Sequence, residues 1–312
     1  MSLAQEFDTV TIIRSTLLAW MAFSVGLVTA APAGIPLRTV TDDSGRQVAV
    51  AQPPLRIVSL APGATELLFA AGAGEQVIAT VEYSDEPPAA RRIARIGDVA
   101  AVDMERLVSL HPDVVVVWAS GGNPAQRQKI AGLHIPMYEQ QVARLADIPA
   151  GVRRLGVLAG TQATADRAAQ EMDARLARLT HQYSAPAAGR AASVLLQVWN
   201  RPIYTVGGKQ LMSDALSICG ARNVFGDLAE PGPVVDTEAV IARDPDIIIV
   251  AAPQGEGAVW VNDWKRLGSL AAVRNNKVVV FEDQALSRLG PSVIGATEGL
   301  CRLLAGLSRG SY

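Results

Sequence analysis

The chain has 312 residues, 28 Lys plus Arg against 30 Asp plus Glu, two cysteines and 49% hydrophobic residues. Near-balanced charge removes the electrostatic footprint of a nucleic-acid or acidic-membrane binder, and the hydrophobic fraction excludes wholesale disorder. The length suffices for two lobes, each with its own core.

The first element in chain order is an apolar run at residues 15–30, STLLAWMAFSVGLVTA, preceded by Arg14. A membrane span needs about 20 apolar residues, and the residues around Ala30 suit a signal-peptidase site. Residues 1–30 are therefore expected to be a signal peptide cleaved near Ala30, with a periplasmic mature protein. An uncleaved N-terminal anchor is the alternative. No cysteine follows the run, so there is no lipobox. Cleavage leaves 27 basic against 28 acidic residues.

Beyond it, the chain repeats itself. Residues 102–118 read VDMERLVSLHPDVVVVW and residues 235–251 read VDTEAVIARDPDIIIVA. In each copy an Asp (103, 236) caps a short helix, and a Glu (105, 238) in its first turn complements the helix dipole. Pro-Asp ends the helix, and a β-branched run then forms a strand buried on both faces. Leading strands are expected at 56–62 and 192–199, following strands at 135–140 and 277–283. Between the copies, residues 161–183 contain no Gly or Pro and carry Ala, Met and Leu on one face, which predicts one helix about 30 Å long. The expected fold is α/β, with two Rossmann-like lobes and parallel-type sheets joined by one long rigid backbone helix. The lobes are assigned to 54–160 and 190–312 and the linking helix to 161–185, with small lobe motions.

Ligands of open parallel sheets bind beyond the carboxyl ends of the strands. The first strand runs there into Pro62-Gly63-Ala64, the second ends at Tyr83, the third at Trp118, and the leading strand of the second lobe at Trp199. Aromatic residues at strand ends suit a large apolar or ring-bearing ligand; for Trp118 and Trp199, core packing is the alternative. His111, His134 and His181 are scattered and no zinc, hydrolase or phosphate-loop motif occurs, so no metal site and no enzyme chemistry are expected. An exported chain folds in an oxidising compartment, where Cys219 and Cys301 form a disulfide or remain two buried thiols.

RIVSLAPGATELLFAAGAGEQVIATVEYSDEPP (56–88), ERLVSLHPDVVVVWASGGN (105–123), CGARNVF (219–225) and VDTEAVIARDPDIIIV (235–250) resemble the periplasmic binding proteins with a helical backbone linker. Among these the likeness is greatest to the metal-chelate receptors that serve cobalamin importers. The resemblance runs from Arg56 to the C-terminus. It implies a monomeric binding component of an ABC importer that carries cobalamin, or a related corrinoid, to a permease with its ATPase. It further implies that Tyr83 and the segment Gln284, Ala285, Leu286, Ser287 and Arg288 contact the ligand. Glu105 and Glu238 would dock on the permease, and Cys219 would pair with Cys301. Two tryptophans of the family's corrin pocket are replaced here by Val99 and Gly232. Haem or a ferric siderophore is the alternative ligand, and a stand-alone scavenger or sensor the alternative of a different class.

Overall fold

A computed structural model describes residues 37–51, 56–185 and 189–308. The expected signal peptide lies outside the described residues, among which no helix is long and apolar enough to cross a membrane.

An antiparallel hairpin comes first, β1 (Leu37–Thr41) and β2 (Gln47–Ala51). In its Asp42-Asp43-Ser44-Gly45 turn the buried Asp42 carboxylate accepts the backbone N–H groups of Ser44, Arg46 and Glu139, and Asp43 accepts that of Gln141 at 2.7 Å. These bonds staple the hairpin to the edge of the sheet that follows.

That sheet is β3 (Ile57–Ser59), β4 (Val77–Thr80), β5 (Ala94–Arg95), β6 (Val114–Trp118) and β7 (Met137–Gln140), all parallel, in the order β5-β4-β3-β6-β7. Its helices are α1 (Pro62–Ala70), α2 (Met104–Ser109), α3 (Pro124–Gly132) and α4 (Asp147–Ala159). With the strands counted within the lobe, the order is 3-2-1-4-5, the doubly wound arrangement whose switch point lies between β3 and β6. The linking helix α5 spans Gln162–Tyr183, 22 residues and about 33 Å.

The second lobe repeats the plan with one strand fewer. Its elements are β8 (Ala192–Gln197), β9 (Ile203–Tyr204), α6 (Leu211–Ile218), β10 (Ala221–Asn223), β11 (Val234–Val235), α7 (Thr237–Arg243), β12 (Ile247–Val250), α8 (Gly257–Lys265), α9 (Ala271–Arg274), β13 (Val278–Val280) and α10 (Ser292–Ser308). The parallel sheet runs β10-β8-β12-β13, and β9 and β11 form a separate antiparallel ribbon. The fold is thus α/β with two parallel lobes, as expected. A disulfide joins Cys219, at the end of α6, to Cys301 in α10.

The period of two along each strand divides the core. Ile57, Val114 and Val116 of the first sheet, and Val194, Leu196, Ile247 and Ile249 of the second, point into one apolar cluster. Leu176 and Leu179 of α5 and Val293 and Ile294 of α10 belong to the same cluster, so the two lobes share a core. The alternate residues fill two separate outer cores, Val58, Val115 and Val117 on one lobe and Leu195, Ile248 and Val250 on the other. A shared core opposes wide lobe opening, because parting the lobes would expose packed apolar surface at about 25 cal/mol per Å².

The sequence repeat holds at the level of single hydrogen bonds. Asp103 caps α2 through the N–H of Arg106 (2.9 Å), and Asp236 caps α7 through that of Ala239 (2.7 Å). Each helix is followed by a residue with positive φ, His111 at 45° and Asp244 at 38°. Asp113 then accepts the N–H of Arg56 and Asp246 that of Ser193, tying the start of each leading strand to its neighbour.

Candidate ligand-binding site

The turn after β4 presents Tyr83. Its backbone is left-handed (φ 65°) and its side chain is 76% exposed. A bulky residue in that region costs about 1–2 kcal/mol, so the surroundings must hold it there. They do so from two sides. A buried chain of hydroxyls runs Ser59–Thr65–Thr80–Ser84 with steps of 2.8, 2.8 and 2.9 Å. Arg95 donates to the Ser84 carbonyl (2.9 Å) and to the Asp85 carboxylate (3.0 Å).

Pro62 opens α1 at the end of β3, with its fixed φ suited to the first helical turn. Gly63 and Ala64 are buried. A Cβ at Gly63 would come within 2.5 Å of the Leu289 carbonyl oxygen, so only glycine allows this approach of the two lobes. Here the first-lobe segment 62–66 meets the second-lobe segment 288–292. In the Gln284–Arg288 segment, Gln284 donates to the carbonyl of Ala252, just beyond β12, at 2.9 Å. Leu286 is buried, Ala285 and Arg288 are half-buried, and Ser287 is exposed. Arg288 lies 3.8 Å from Glu66. Burial pushes the Glu66 carboxyl up from its ordinary range, and repulsion from Glu86 adds to this. The hydroxyl chain from Thr65 through Thr80 to Ser84 sets the turn that carries Tyr83 beside the 62–66 segment.

The two tryptophans part company. Trp118 is half-buried with its ring against Gly121, where any Cβ would overlap it, and it packs on the shared core. Trp199 is 49% exposed and meets Trp260 edge-on, centroids 6.2 Å apart. Its turn is held by Gln197, which donates to the Trp199 carbonyl (3.2 Å) and accepts from the Trp264 indole (2.6 Å). Val99 packs against the outer core of the first lobe, whereas Gly232 is exposed with nothing near a built Cβ.

Glu105 and Glu238 stand exposed in the first turns of α2 and α7, and among the described residues neither joins an ion pair. Three sizeable cavities lie away from Tyr83, one of them, of about 530 Å³, between Tyr183, Arg190 and Arg302. One of about 820 Å³ is lined by Arg144, Lys209, Asp214 and Arg222, and one of about 610 Å³ lies beside Glu238, against Ile203 and Trp264.

Residues 57–285 match the sequence pattern of a family described as periplasmic binding protein. The chain belongs to the periplasmic binding protein family. Vitamin B12-binding protein of Pectobacterium carotovorum subsp. carotovorum (strain PC1) is 33% identical over 258 residues, 83% of this chain and 91% of that protein. The protein of the same name from Photorhabdus laumondii subsp. laumondii is 34% identical over 252 residues, 80% of this chain and 88% of its own length. The crystal structure of the periplasmic vitamin B12 binding protein of Vibrio cholerae superposes with a TM-score of 0.74 at 30% identity, covering 82% of this chain and 99% of that one. A periplasmic heme-binding protein from Roseiflexus sp. RS-1 shares the fold of this periplasmic binding protein at 22% identity, with a TM-score of 0.68 over 82% of this chain and all of that one.

Three features of the site escaped the sequence reading: the hydroxyl chain beneath Tyr83, the Gln197–Trp264 brace beneath Trp199, and Glu66. The only trace of Glu66 in the sequence is a carboxylate set directly before Leu67 and Leu68 in an apolar helix.

Proposed function

We propose that this chain is the binding component of an ABC importer that captures cobalamin or a related corrinoid between its lobes. The observation that carries the reading is its identity of a third, over four-fifths of the chain, with vitamin B12-binding proteins. The geometry agrees with it. Tyr83 is held out in a strained turn near the junction, the 62–64 and 284–288 segments meet or flank it, and Trp199 offers an exposed ring on the second lobe. Capture needs shape and a few placed polar groups but no reaction, so the chain acts by binding and handing over, in the periplasm. Glu105 and Glu238, one per lobe at equivalent positions, suit a two-fold symmetric permease whose cations would fix orientation.

Haem or a ferric siderophore is the second reading. Haem gains little from the three histidines, which lie after α2 (His111), after α3 (His134) and near the end of α5 (His181), outside the segments that meet at the junction. Cobalamin uptake in cells that lack their own receptor but retain the permease tests the proposal. The wild-type chain is expected to restore uptake. Glu105→Ala/Glu238→Ala is expected to abolish it with cobalamin affinity intact. Unchanged uptake in the double variant would remove the docking role, and restored haem uptake without cobalamin uptake would replace the ligand.

A further inference from the structure

Glu66 is a carboxylate only 5% exposed, on a helix whose neighbouring positions are Leu67 and Leu68. Its partners come from the other lobe. Oε2 accepts the backbone N–H of Ser292, the first residue of α10, at 3.0 Å. Oε1 lies 3.8 Å from Nη1 of Arg288, an ion pair without a directional bond. Gly63 and Gly290 let the chains close over it: a Cβ at Gly290 would come within 2.8 Å of Glu66 Oε2.

A glutamine at this position would accept the Ser292 N–H equally well and would carry no charge into a buried site. The dipole of α10 favours an anion there, yet burial outweighs it, since the carboxyl is pushed above its ordinary range. Packing and helix capping therefore do not require the charge. What the charge does act on is Arg288. That guanidinium carries five N–H donors, and among the described residues its side chain donates no hydrogen bond. It is 27% exposed, and Glu66 is the carboxylate with which it pairs.

We propose that Glu66 is a positioning residue for ligand capture: its charge holds the Arg288 guanidinium at the lobe junction, with N–H donors left for acceptor oxygens of the bound chelate, carboxamide or anionic. The inference rests on the reading of Arg288 as a ligand contact. The groups that set the ionisation of Glu66 are Arg288 on the facing segment, Ser292 at the start of α10, and Glu86 in the Tyr83 turn.

The test is a double-mutant cycle over Glu66→Gln and Arg288→Gln, read by titration with cyanocobalamin and by thermal unfolding. Glu66→Gln is expected to unfold no lower than wild type at pH 7.5 and to bind about tenfold more weakly. The double variant is expected to bind no more weakly than the worse single variant, since the two residues act as a unit. Wild-type affinity in Glu66→Gln, or losses that multiply in the double variant, would overturn the proposal. A ligand-free arm follows the Glu66 carboxyl by NMR titration: Arg288→Gln is expected to raise its pKa and Arg288→Lys to leave it lower than Arg288→Gln does. An unmoved pKa would overturn the coupling even if Glu66→Gln failed to fold. Absence of cobalamin binding by wild type, with the NMR coupling present, would instead count against the ligand reading.

Discussion

Tyr83 combines a costly backbone with an exposed ring, and that combination lets its proposed ligand contact be tested apart from stability. Glycine adopts φ near 65° without a Cβ penalty, while the exposed ring contributes little to the core. Tyr83→Gly is therefore expected to leave the thermal midpoint unchanged or slightly raised and to weaken ligand binding at least tenfold, by about 1.4 kcal/mol or more; a large drop in midpoint would show the ring to be structural. Asp246 is the opposite kind of residue. The bidentate Arg190 fork, with both bonds at 2.8 Å, holds its carboxyl far below the usual range, helped by the N–H and hydroxyl of Ser193. A depressed folded pKa contributes stability that is full above the unfolded value of about 4 and fades as pH falls below it. Asp246→Ala is expected to cost about 2 kcal/mol in urea unfolding at pH 7, leaving the Ser193 N–H without its partner, and less at pH 3. The exposed setting of Tyr83 was legible in the sequence because an aromatic residue in a polar turn at a strand end has little structural reason to be there. Glu66 was not, because a glutamate in a helix is usually solvated and only the facing lobe buries it.

At the scale of elements, those with strong local grammar were the legible ones. Residues 161–183 lack Gly and Pro, and the helix runs from Gln162 to Tyr183. The repeat of Asp cap, first-turn Glu, Pro-Asp and β-branched run predicted two helix–strand units, and both formed with matching caps and matching positive-φ exits. The hairpin at 37–51 went unread, although its Asp-Asp-Ser-Gly turn is visible, because its two strands are short and gain stability from long-range docking, through the backbone of Glu139 and Gln141 and through Val40, Val48 and Val50 in the shared core. The packing of α5 gives the prediction at this scale. Leu176 lies in the cluster common to both lobes, and truncating a buried leucine costs about 2–5 kcal/mol. Leu176→Ala is expected to lower the stability of both lobes together, with Trp118 fluorescence and second-lobe tryptophan fluorescence reporting one midpoint in single-tryptophan variants. Two separated midpoints would show that the lobes do not share a core.

For the molecule as a whole, the shared core, the linking helix and the glycine-mediated approach of residues 63 and 289 hold the two lobes against each other. The sheet order was legible only in part: alternating strand and helix patterns implied parallel sheets, whereas the 3-2-1-4-5 order depends on long-range pairing that no local signal encodes. The proposed ligand rests on resemblance, and the two positions at which the chain departs from the family's tryptophans differ in the fold. Val99 serves the outer core, while Gly232 faces open space and leaves room for a larger neighbour or ligand group. The most direct measurement is isothermal titration of the purified protein with cyanocobalamin, with hemin and a ferric siderophore run alongside. Saturable one-to-one binding of cyanocobalamin, with the two other chelates binding more weakly, is the expected result. Folded protein that releases no binding heat with cyanocobalamin, and shows none of its absorbance after gel filtration, would contradict cobalamin capture.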